Sequence, residues 1–300
     1  MKTIVIAGGS GFLGQIVKNY FQKKEWNIKI LTRTPTHESD IYWDAKNLGK
    51  WTEALEHIDA LINFTGKSVD CRYNEENKKL IHDSRIDSTH ALGLAINLCD
   101  NPPKIWINSS TATIYKGSFT YLNDEENGII GDDFSMNIAK AWEEAFYSIL
   151  NPNTRKIVLR SSIVMGKDGG ALPTLKKLVN FGLGGRQASG KQKVSWIHQE
   201  DFVRAIEFII QHSELEGNFN LCVPQPTDNR TLMHAIRKTL NIPFGIAHPK
   251  WLLNLGAKIL GTETELILKS RNVIPMRLLQ NNFAFKYPDL KLALNNLLKN

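Results

Sequence analysis

The sequence has few cysteines and no long apolar run. Its three cysteines are far apart and in no metal-binding spacing, at Cys71, Cys99 and Cys222, which excludes a disulfide scaffold and a cysteine metal site. The apolar runs fall far short of the roughly 18 residues that a transmembrane helix needs. No secretory signal is visible either, because Thr3–Ala7 followed by glycines is typical of a strand and a turn. We therefore expect a cytoplasmic protein with no membrane partner and no metal.

Positive charge is in excess but is not concentrated. The 37 Lys and Arg outnumber the 30 Asp and Glu, giving a net charge of +7. The basic residues are scattered, and clusters such as Lys78-Lys79 have acids beside them. A nucleic-acid interface needs a basic patch or stripe, so we expect no nucleic-acid partner. The 300 residues are 42% hydrophobic and 22% charged, a globular composition with room for one large or two modest domains.

The first half alternates short apolar runs with amphipathic stretches, the pattern of a parallel sheet wound with helices. The predicted strands are Thr3–Ala7, Asn27–Thr32, Ile41–Trp43, Ala60–Phe64, Lys104–Ser109 and Lys156–Arg160. The predicted helices are Gly11–Lys24, Trp51–His57, Asn74–Cys99 and Ser135–Leu150. Later come strands at Val194–His198 and Asn218–Val223, a helix from Glu200 to His212, and a mostly helical remainder.

These elements predict an α/β fold of two parts. Residues 1–165 form a Rossmann core, a doubly wound parallel sheet with helices on both faces, to which later segments return. Residues 166–300 form a smaller, mainly helical lobe on the substrate side.

A glycine-rich turn follows the first strand directly and opens the first helix. It reads Gly8-Gly9-Ser10-Gly11-Phe12-Leu13-Gly14. Glycines in that place allow a tight turn, close approach of the backbone to a pyrophosphate, and close helix–strand packing. The helix N-terminus adds unpaired amide hydrogens and a partial positive charge. We predict that Gly8, Ser10, Gly11, Phe12, Leu13 and Gly14 bind a dinucleotide.

The end of the second strand predicts which dinucleotide. An NAD site usually has an acid about 20 residues beyond the glycines, where it binds the ribose hydroxyls. Here the chain reads Thr32-Arg33-Thr34, with no acid before Glu38. An arginine can pair with a 2′-phosphate and stack on adenine. Arg33 and Thr34 therefore favour NADP(H) over NAD(H), the alternative being that Arg33 is an ordinary solvated loop residue.

Further motifs resemble those of the short-chain dehydrogenase/reductase superfamily, on its extended, epimerase-like side. Asn63-Phe64-Thr65-Gly66 is similar to the Asn-x-x-Gly of that superfamily, which implies that Asn63 and Gly66 lie beside the cofactor. The stretch Ser109–Tyr115, SSTATIY, resembles the corresponding stretch of sugar-nucleotide epimerases.

A narrower resemblance is to an atypical branch, the epimerase family proteins, which have no established substrate. It rests on Trp142-Glu143-Glu144, Asp168-Gly169-Gly170, Gly182–Gly185 and Ser195–His198. The branch has a characteristic C-terminal segment, expected here at about 247–295 and resembled at Pro249–Leu268 and Val273–Phe285.

The catalytic pattern of the superfamily is incomplete. Its chemistry uses a tyrosine and a lysine four residues apart on one helix face, assisted by a hydroxyl. By resemblance Thr111 supplies the hydroxyl and Lys140 the lysine, which also contacts the cofactor ribose, but Met136 stands four residues before Lys140. Three formal matches occur elsewhere, none of them placed to meet a nicotinamide, at Tyr20/Lys24, Tyr42/Lys46 and Tyr287/Lys291.

Three hypotheses follow from the missing tyrosine. Tyr115 could supply the phenol, with His198 or Glu143 as a second acid or base. A reductase could instead protonate its product through water or Thr111. The third hypothesis is a non-catalytic NADP(H)-binding sensor or scaffold.

Three of the candidate residues also have an ordinary structural interpretation. Tyr115 could be a packing aromatic, Lys140 a solvated helix residue and His198 a satisfied core histidine. We predict an NADP(H)-dependent oxidoreductase or epimerase acting on a small hydroxyl- or carbonyl-bearing substrate contacted by Ser110, Tyr115 and His198. By resemblance alone, a homodimer through the two long helices is expected.

Overall fold

The fold is built on a seven-stranded parallel sheet. A computed structural model describes residues 1–253, 258, 263 and 265–299. The sheet strands are β1 (Thr3–Ala7), β2 (Asn27–Thr32), β3 (Asp40–Tyr42), β4 (Ala60–Asn63), β5 (Ile105–Thr111), β6 (Arg155–Ser161) and β10 (Gly217–Leu221). Their order is β10-β6-β5-β4-β1-β2-β3. The order reverses next to β1, the point where Rossmann folds bind their dinucleotide.

Helices cover both faces of the sheet because the strands alternate their buried side chains. Ile4 and Ile6 face α1 (Phe12–Gln22) and α5 (Gln199–Gln211), whereas Val5 and Ala7 face the opposite layer. That layer contains a 3₁₀ helix and two long helices, at Lys50–Leu55, α2 (Glu75–Asn97) and α3 (Phe134–Ser148). The doubly wound parallel sheet predicted from the sequence is confirmed.

Side-chain caps set where the two long helices begin. The Asn74 side chain accepts a hydrogen bond from the Asn77 backbone N–H at 2.8 Å and starts α2. Asp133 does the same for the Met136 N–H at 3.1 Å and starts α3. Each cap satisfies one of the amide donors that a helix start leaves unpaired. None of the helices among the described residues is long and apolar enough to span a bilayer.

The chain beyond residue 165 contributes to two bodies of structure. Strand β10 pairs with β6, and α5 packs on the same face as α1, so both belong to the sheet layers. The remainder forms a smaller lobe with its own apolar core. Its elements are α4 (Leu172–Asn180), α6 (Asn229–Thr239), α9 (Leu290–Lys299) and two ribbons that pair β7 (Ile163–Met165) with β9 (Trp196–His198) and β8 (Lys193–Val194) with β11 (Thr227–Asp228).

The C-terminal segment runs between the lobe and the sheet. The described helices there are the short α7 (Glu265–Leu268) and α8 (Met276–Gln280). Leu278 and Phe283 pack into the core beside α1 and α5, so this segment helps to close that face. Part of the predicted Pro249–Leu268 segment lies outside the described residues.

Candidate dinucleotide and substrate site

The glycine turn after β1 has the geometry of a phosphate cradle. Gly8 has φ of +71°, in the left-handed region that side chains disfavour. A Cβ on Gly8 would lie 2.8 Å from the Thr65 backbone nitrogen, so the turn and the end of β4 touch. A Cβ on Gly14 would clash with the backbone of Gly9. Because glycine has no Cβ, α1 can start close to the turn. The turn therefore depends on glycine at both positions.

A cavity of about 730 Å³ lies along this turn. Its walls come from the turn, the end of β2, the loop after β3, and the segment after β4, and include Gly8, Ser10, Gly11, Thr32, Arg33, Asp44, Lys46, Thr65 and Gly66. Gly11 begins α1 without a side-chain cap, so amide hydrogens face the cavity unpaired by a side chain. In the part of the chain that the structure describes, the buried Thr65 hydroxyl has no hydrogen-bond partner. An extended, phosphate-bearing ligand fits these donors.

Of the cofactor residues predicted at the glycine turn and after β2, four do not line this cavity, namely Phe12, Leu13, Gly14 and Thr34. The Phe12 ring packs against Gly166 and Gly169, so it fills the space between α1 and the loop that follows β7. Leu13 lines the neighbouring cleft. Thr34 is exposed, and its backbone N–H donates to the Thr32 hydroxyl at 3.3 Å.

Asn63 supports the site from within the core. It is fully buried, and its amide donates to Asn108 Oδ1 at 2.7 Å, while its own oxygen accepts from the Thr65 N–H at 2.9 Å. A further bond reaches Thr89, whose hydroxyl accepts from the Trp142 indole at 3.0 Å. The prediction that Asn63 contacts the cofactor is therefore corrected, because these bonds make it the residue that positions Thr65 and Gly66.

A second cleft of about 270 Å³ adjoins the first at Phe64 and Gly66. It lies at the carboxyl ends of β4, β5 and β6, between α2 and α3. The polar residues on its walls are Tyr73, Arg85, Ser109, Ser110, Thr111, Thr113, Ser135 and Ser161. It continues the first cavity past the switch point of the sheet, the region where open α/β sheets commonly bind their ligands.

Two predicted hydroxyls lie on this cleft. Thr111 Oγ1 accepts from the Thr113 N–H at 3.1 Å, which leaves its own hydrogen to donate outward. Ser110 Oγ donates to Glu143 Oε1 at 2.7 Å. Glu143 is itself held by Arg160 through bonds of 2.9 and 2.7 Å, and all of these groups are buried except for part of Thr111.

The structure places Tyr115 away from the cleft walls, which corrects its assignment as the catalytic phenol and substrate contact. Its side chain is 1% exposed and packs with Ile114, Ala139 and Val273. Its hydroxyl donates to Asn220 Oδ1 at 3.0 Å and accepts from Arg160 Nη1 at 2.8 Å. Burial raises the pKa of Tyr115 to about 12 despite Arg160. A phenol so buried and bonded is a structural group.

His198 is also a structural residue, which corrects its assignment as a substrate contact. Its Nδ1 caps α5 by accepting from the Glu200 N–H at 3.0 Å, and Nε2 bonds Asn296 Oδ1 at 3.1 Å. Its ring stacks on Tyr287 with centroids 3.9 Å apart. Both ring nitrogens are therefore engaged, and burial lowers the pKa of His198.

Helix α3 presents a different face to the cleft from the one expected. The α3 residues that line the cleft are Phe134, Ser135, Ile138, Ala139 and Trp142. Met136 is buried against Gly131, and Lys140, five residues after Ser135, is turned roughly 140° from it around the helix axis. The expected register of Met136 and Lys140 is therefore corrected by one residue, and Lys140 is not placed to contact the cofactor ribose. The residues that face the cleft four positions apart, as the superfamily's tyrosine and lysine are, are therefore Ser135 and Ala139.

Sequence reasoning missed most of the polar residues of the cleft, among them Tyr73, Arg85, Ser135 and Ser161. Arg85 lies in the middle of α2 with no motif around it, so no local signal marks it. Ser135 could have been found from its place two residues after the Asp133 cap, at the start of the face that α3 buries. Among the described residues no group of three or more His, Cys, Asp or Glu could hold a metal ion.

The fold and the two joined cavities define a Rossmann-type dinucleotide-binding protein of the short-chain dehydrogenase/reductase kind. The NAD dependent epimerase/dehydratase family matches residues 4–128, and a C-terminal domain of unknown function (DUF1731) matches residues 248–297.

Relatives extend the likeness over the whole chain. Epimerase family proteins of Staphylococcus aureus (strain MW2) and Staphylococcus saprophyticus are 31% and 33% identical to it over 303 and 304 residues, covering 99% or more of each chain. The chain therefore belongs to the epimerase family proteins, within the NAD(P)-binding epimerase/dehydratase group.

Solved structures agree with this membership. A human epimerase family protein crystallised with NADPH superposes with a TM-score of 0.90 at 26% identity, covering 99% of both chains. UDP-N-acetylglucosamine 4-epimerase from Bacillus cereus shares the fold, with a TM-score of 0.78 at 16% identity over 99% of this chain and 98% of the epimerase.

Proposed function

We propose that this protein is an NADP(H)-dependent oxidoreductase or epimerase acting on a small hydroxyl- or carbonyl-bearing substrate. The observation that carries the proposal is the position of Arg33 on the wall of the dinucleotide cavity, at the end of β2. An NAD site has a carboxylate there to bind the ribose hydroxyls, whereas a guanidinium pairs with a 2′-phosphate. The NADPH in the human relative supports the same preference.

The residues of the second cleft fit a carbonyl–alcohol interconversion. A nicotinamide bound beside this cleft would supply or accept the hydride. Thr111 donates a hydrogen bond to the substrate oxygen, since its own acceptor side is occupied by the Thr113 N–H. Ser110 is oriented by Glu143 and, behind it, by Arg160. Tyr115 takes no part, and a water beside Thr111 delivers the proton.

A non-catalytic NADP(H)-binding sensor is the second candidate. It is favoured by one observation, that α3 turns Ser135 and Ala139 toward the cleft at the spacing where the superfamily has tyrosine and lysine. The two candidates differ in turnover, so NADPH oxidation measured at 340 nm with a panel of aldehydes, ketones and oxo acids separates them.

Arg33→Ala tests the cofactor assignment. We expect the variant to bind NADPH about 10- to 100-fold more weakly, because a hydrogen bond to a charged group contributes about 1.5–3 kcal/mol. Binding of NADH should change less than two-fold, since NADH has no 2′-phosphate. Nicotinamide fluorescence in titrations of both nucleotides measures the effect.

Lys23→Ala is the matched control, because Lys23 is exposed at the end of α1 and carries the same charge. Equal weakening of NADPH and NADH by Arg33→Ala, or the same loss in the control, would contradict the role of Arg33. Failure of the unmodified protein to bind either nucleotide would overturn the proposed function.

A further inference from the structure

The guanidinium of Arg85 lies on the wall of the second cleft without an acidic partner. It extends from α2 over the indole of Trp142, with 5.0 Å between the guanidinium carbon and the ring centroid. Among the described residues, its hydrogen-bond partners are the backbone oxygens of Lys67 and Ile81, which accept from Nη1 at 3.1 and 2.9 Å. No ion pair among the described residues involves Arg85, and every aspartate and glutamate side chain belongs to the described part of the chain.

This arrangement leaves a positive charge largely out of water. Burial lowers the pKa of Arg85 to about 10, which still leaves the group protonated at neutral pH. A buried charge without a partner destabilises a folded protein. The acids near the mouth are engaged elsewhere: Glu263 with Arg72 and the Tyr73 N–H, and Glu265 with Lys269. The charge of Arg85 is therefore available to an anion in the cleft.

Other donors converge on the same cleft. The hydroxyls of Tyr73 and Ser161 are buried and, within the described residues, have no hydrogen-bond partner of good geometry. Burial raises the pKa of Tyr73, an effect that the nearby Ser135 partly offsets, so its phenol keeps its proton and can donate. Gly66 leaves the space that Arg85 occupies, since a Cβ there would lie 3.1 Å from the guanidinium carbon.

We propose that Arg85 binds a carboxylate or phosphate group of the substrate, so that the substrate of this enzyme is a small anion. The inference rests on the proposed function, because it takes the second cleft as the substrate site. Two adjacent guanidinium nitrogens, Nε and Nη2, make no hydrogen bond to a described residue and match the spacing of two anionic oxygens. The cleft has a volume of about 270 Å³, which suits a small substrate.

The cofactor pyrophosphate is the other source of anionic oxygens. Its cradle is the glycine turn, which lines the larger cavity with Gly8, Ser10 and Gly11. Arg85 instead shares the second cleft with the end of β5 and with α3. The position of Arg85 therefore favours the substrate.

The test uses oxalate and inorganic phosphate as probes, titrated by calorimetry into the protein saturated with NADP⁺. We expect the unmodified protein to bind at least one of them at one site per chain. Arg85→Gln should weaken that binding ten-fold or more, while NADPH affinity stays within two-fold. Arg85→Lys keeps the charge but loses the paired donors. Its affinity for the anion should therefore lie between those of the unmodified protein and Arg85→Gln, and it replaces Arg85→Gln in the comparison if that variant does not fold.

Arg72→Gln is the matched control, because Arg72 carries the same charge three residues before the α2 start and pairs with Glu263. It should leave anion binding unchanged. Absence of binding by both probes, or a loss in Arg72→Gln equal to that in Arg85→Gln, would overturn the inference. A loss of NADPH affinity in Arg85→Gln as large as the loss of anion binding would assign Arg85 to the cofactor phosphates and also overturn it.

If the proposed function is wrong, a different result is expected: the unmodified protein binds neither NADPH nor NADH. The same anion titrations on the chain without nucleotide then decide the role of Arg85, with the same two variants and the same expected ten-fold difference.

Discussion

At the scale of single residues, a buried polar chain supports the cleft from behind. Arg160 pairs with Glu143 at 2.7 Å, and Glu143 accepts from Ser110 on the cleft wall. Burial lowers the pKa of Arg160, but the hydrogen bonds and charge of Glu143 raise it by more, so the arginine stays charged. Breaking a buried pair on one side typically costs 3–5 kcal/mol, because the remaining charge has no partner. The orientation of Ser110 therefore depends on residues that never touch a ligand.

Tyr115→Phe tests whether that tyrosine is structural. The change leaves Arg160 Nη1 and Asn220 Oδ1 without their shared partner, so we expect the free energy of unfolding to fall by about 1–3 kcal/mol. NADPH affinity and any turnover should stay within two-fold. Urea denaturation and nicotinamide fluorescence measure the two effects.

The matched control for this prediction is Tyr121→Phe. The Tyr121 ring is 41% exposed and its hydroxyl bonds only the Asn127 carbonyl, so its loss should change stability by less than about 0.5 kcal/mol. A Tyr115→Phe variant of unchanged stability but strongly reduced turnover would show that the phenol acts on the substrate.

At the scale of secondary-structure elements, the orientation of α3 determines which of its side chains face the cleft. One face, with Ser135, Ala139 and Trp142, lines the cleft, and the adjacent face carries Met136 and Glu143 into the core. A shift of one residue turns a helix by about 100°, so it exchanges one face for the other. The Asp133 cap fixes where α3 begins, and the packing of α3 against α2 and β5 fixes which face it turns to the cleft.

Met136→Tyr and the double change Ser135→Tyr with Ala139→Lys test the register. We expect Met136→Tyr to lower the free energy of unfolding by about 1–3 kcal/mol, because the larger ring meets Gly131 in a packed core. It should not increase NADPH oxidation. The double change places a phenol and an ammonium on the cleft face, and it should increase the rate with carbonyl compounds.

Met136→Leu is the control for packing, since it conserves volume and should cost less than about 1.5 kcal/mol. An increase in NADPH oxidation by Met136→Tyr, at the stability of the unmodified protein, would show that position 136 faces the cleft after all.

At the scale of the whole molecule, the C-terminal part of the chain is fastened to the sheet through α5. Asp201 at the start of α5 accepts from the backbone N–H groups of Lys286 and Tyr287, at 2.8 and 2.7 Å. His198 bonds Asn296 of α9 and stacks on Tyr287. These contacts join the segment from Lys286 to Asn296 to the start of α5, which belongs to the sheet layer. The smaller lobe therefore packs directly on the core.

The stability of this junction should depend on pH through His198. Burial lowers the pKa of His198 in the folded protein below the ordinary value of about 6.5. As the pH falls below about 6.5 the unfolded chain therefore binds the proton first, and the free energy of unfolding decreases by at most about 1.4 kcal/mol per pH unit. Above that pH the contribution is fully present. Urea denaturation between pH 5.5 and 7.5 measures the slope.

His198→Asn removes the titrating group but keeps a side chain that can cap α5, so we expect a shallower slope. Part of the slope should persist, because burial lowers the pKa of His248 in the same direction. His90→Asn, at an exposed position on α2, should leave the slope unchanged. A slope identical in His198→Asn and the unmodified protein would show that His198 does not titrate with folding.

The sequence by itself determined the fold and the first half of the site. The alternation of apolar runs with amphipathic stretches predicted the parallel sheet, because strand and helix periods are local properties. The glycine turn and Arg33 were also visible, since the turn conformation, the helix start and the end of β2 each depend on a few neighbouring residues.

Only the tertiary structure decided the second half of the site. Whether Tyr115, His198 and Asn63 face a ligand or the core depends on partners such as Asn220, Asn296 and Asn108, which are 105, 98 and 45 residues away along the chain. The face that α3 presents depends on how it packs against α2 and β5. Arg85 has no motif, and its proposed role follows from the lack of an acidic partner among the described residues in the folded protein. Burial and long-range pairing, which no local pattern records, set the charge and the donors of the cleft.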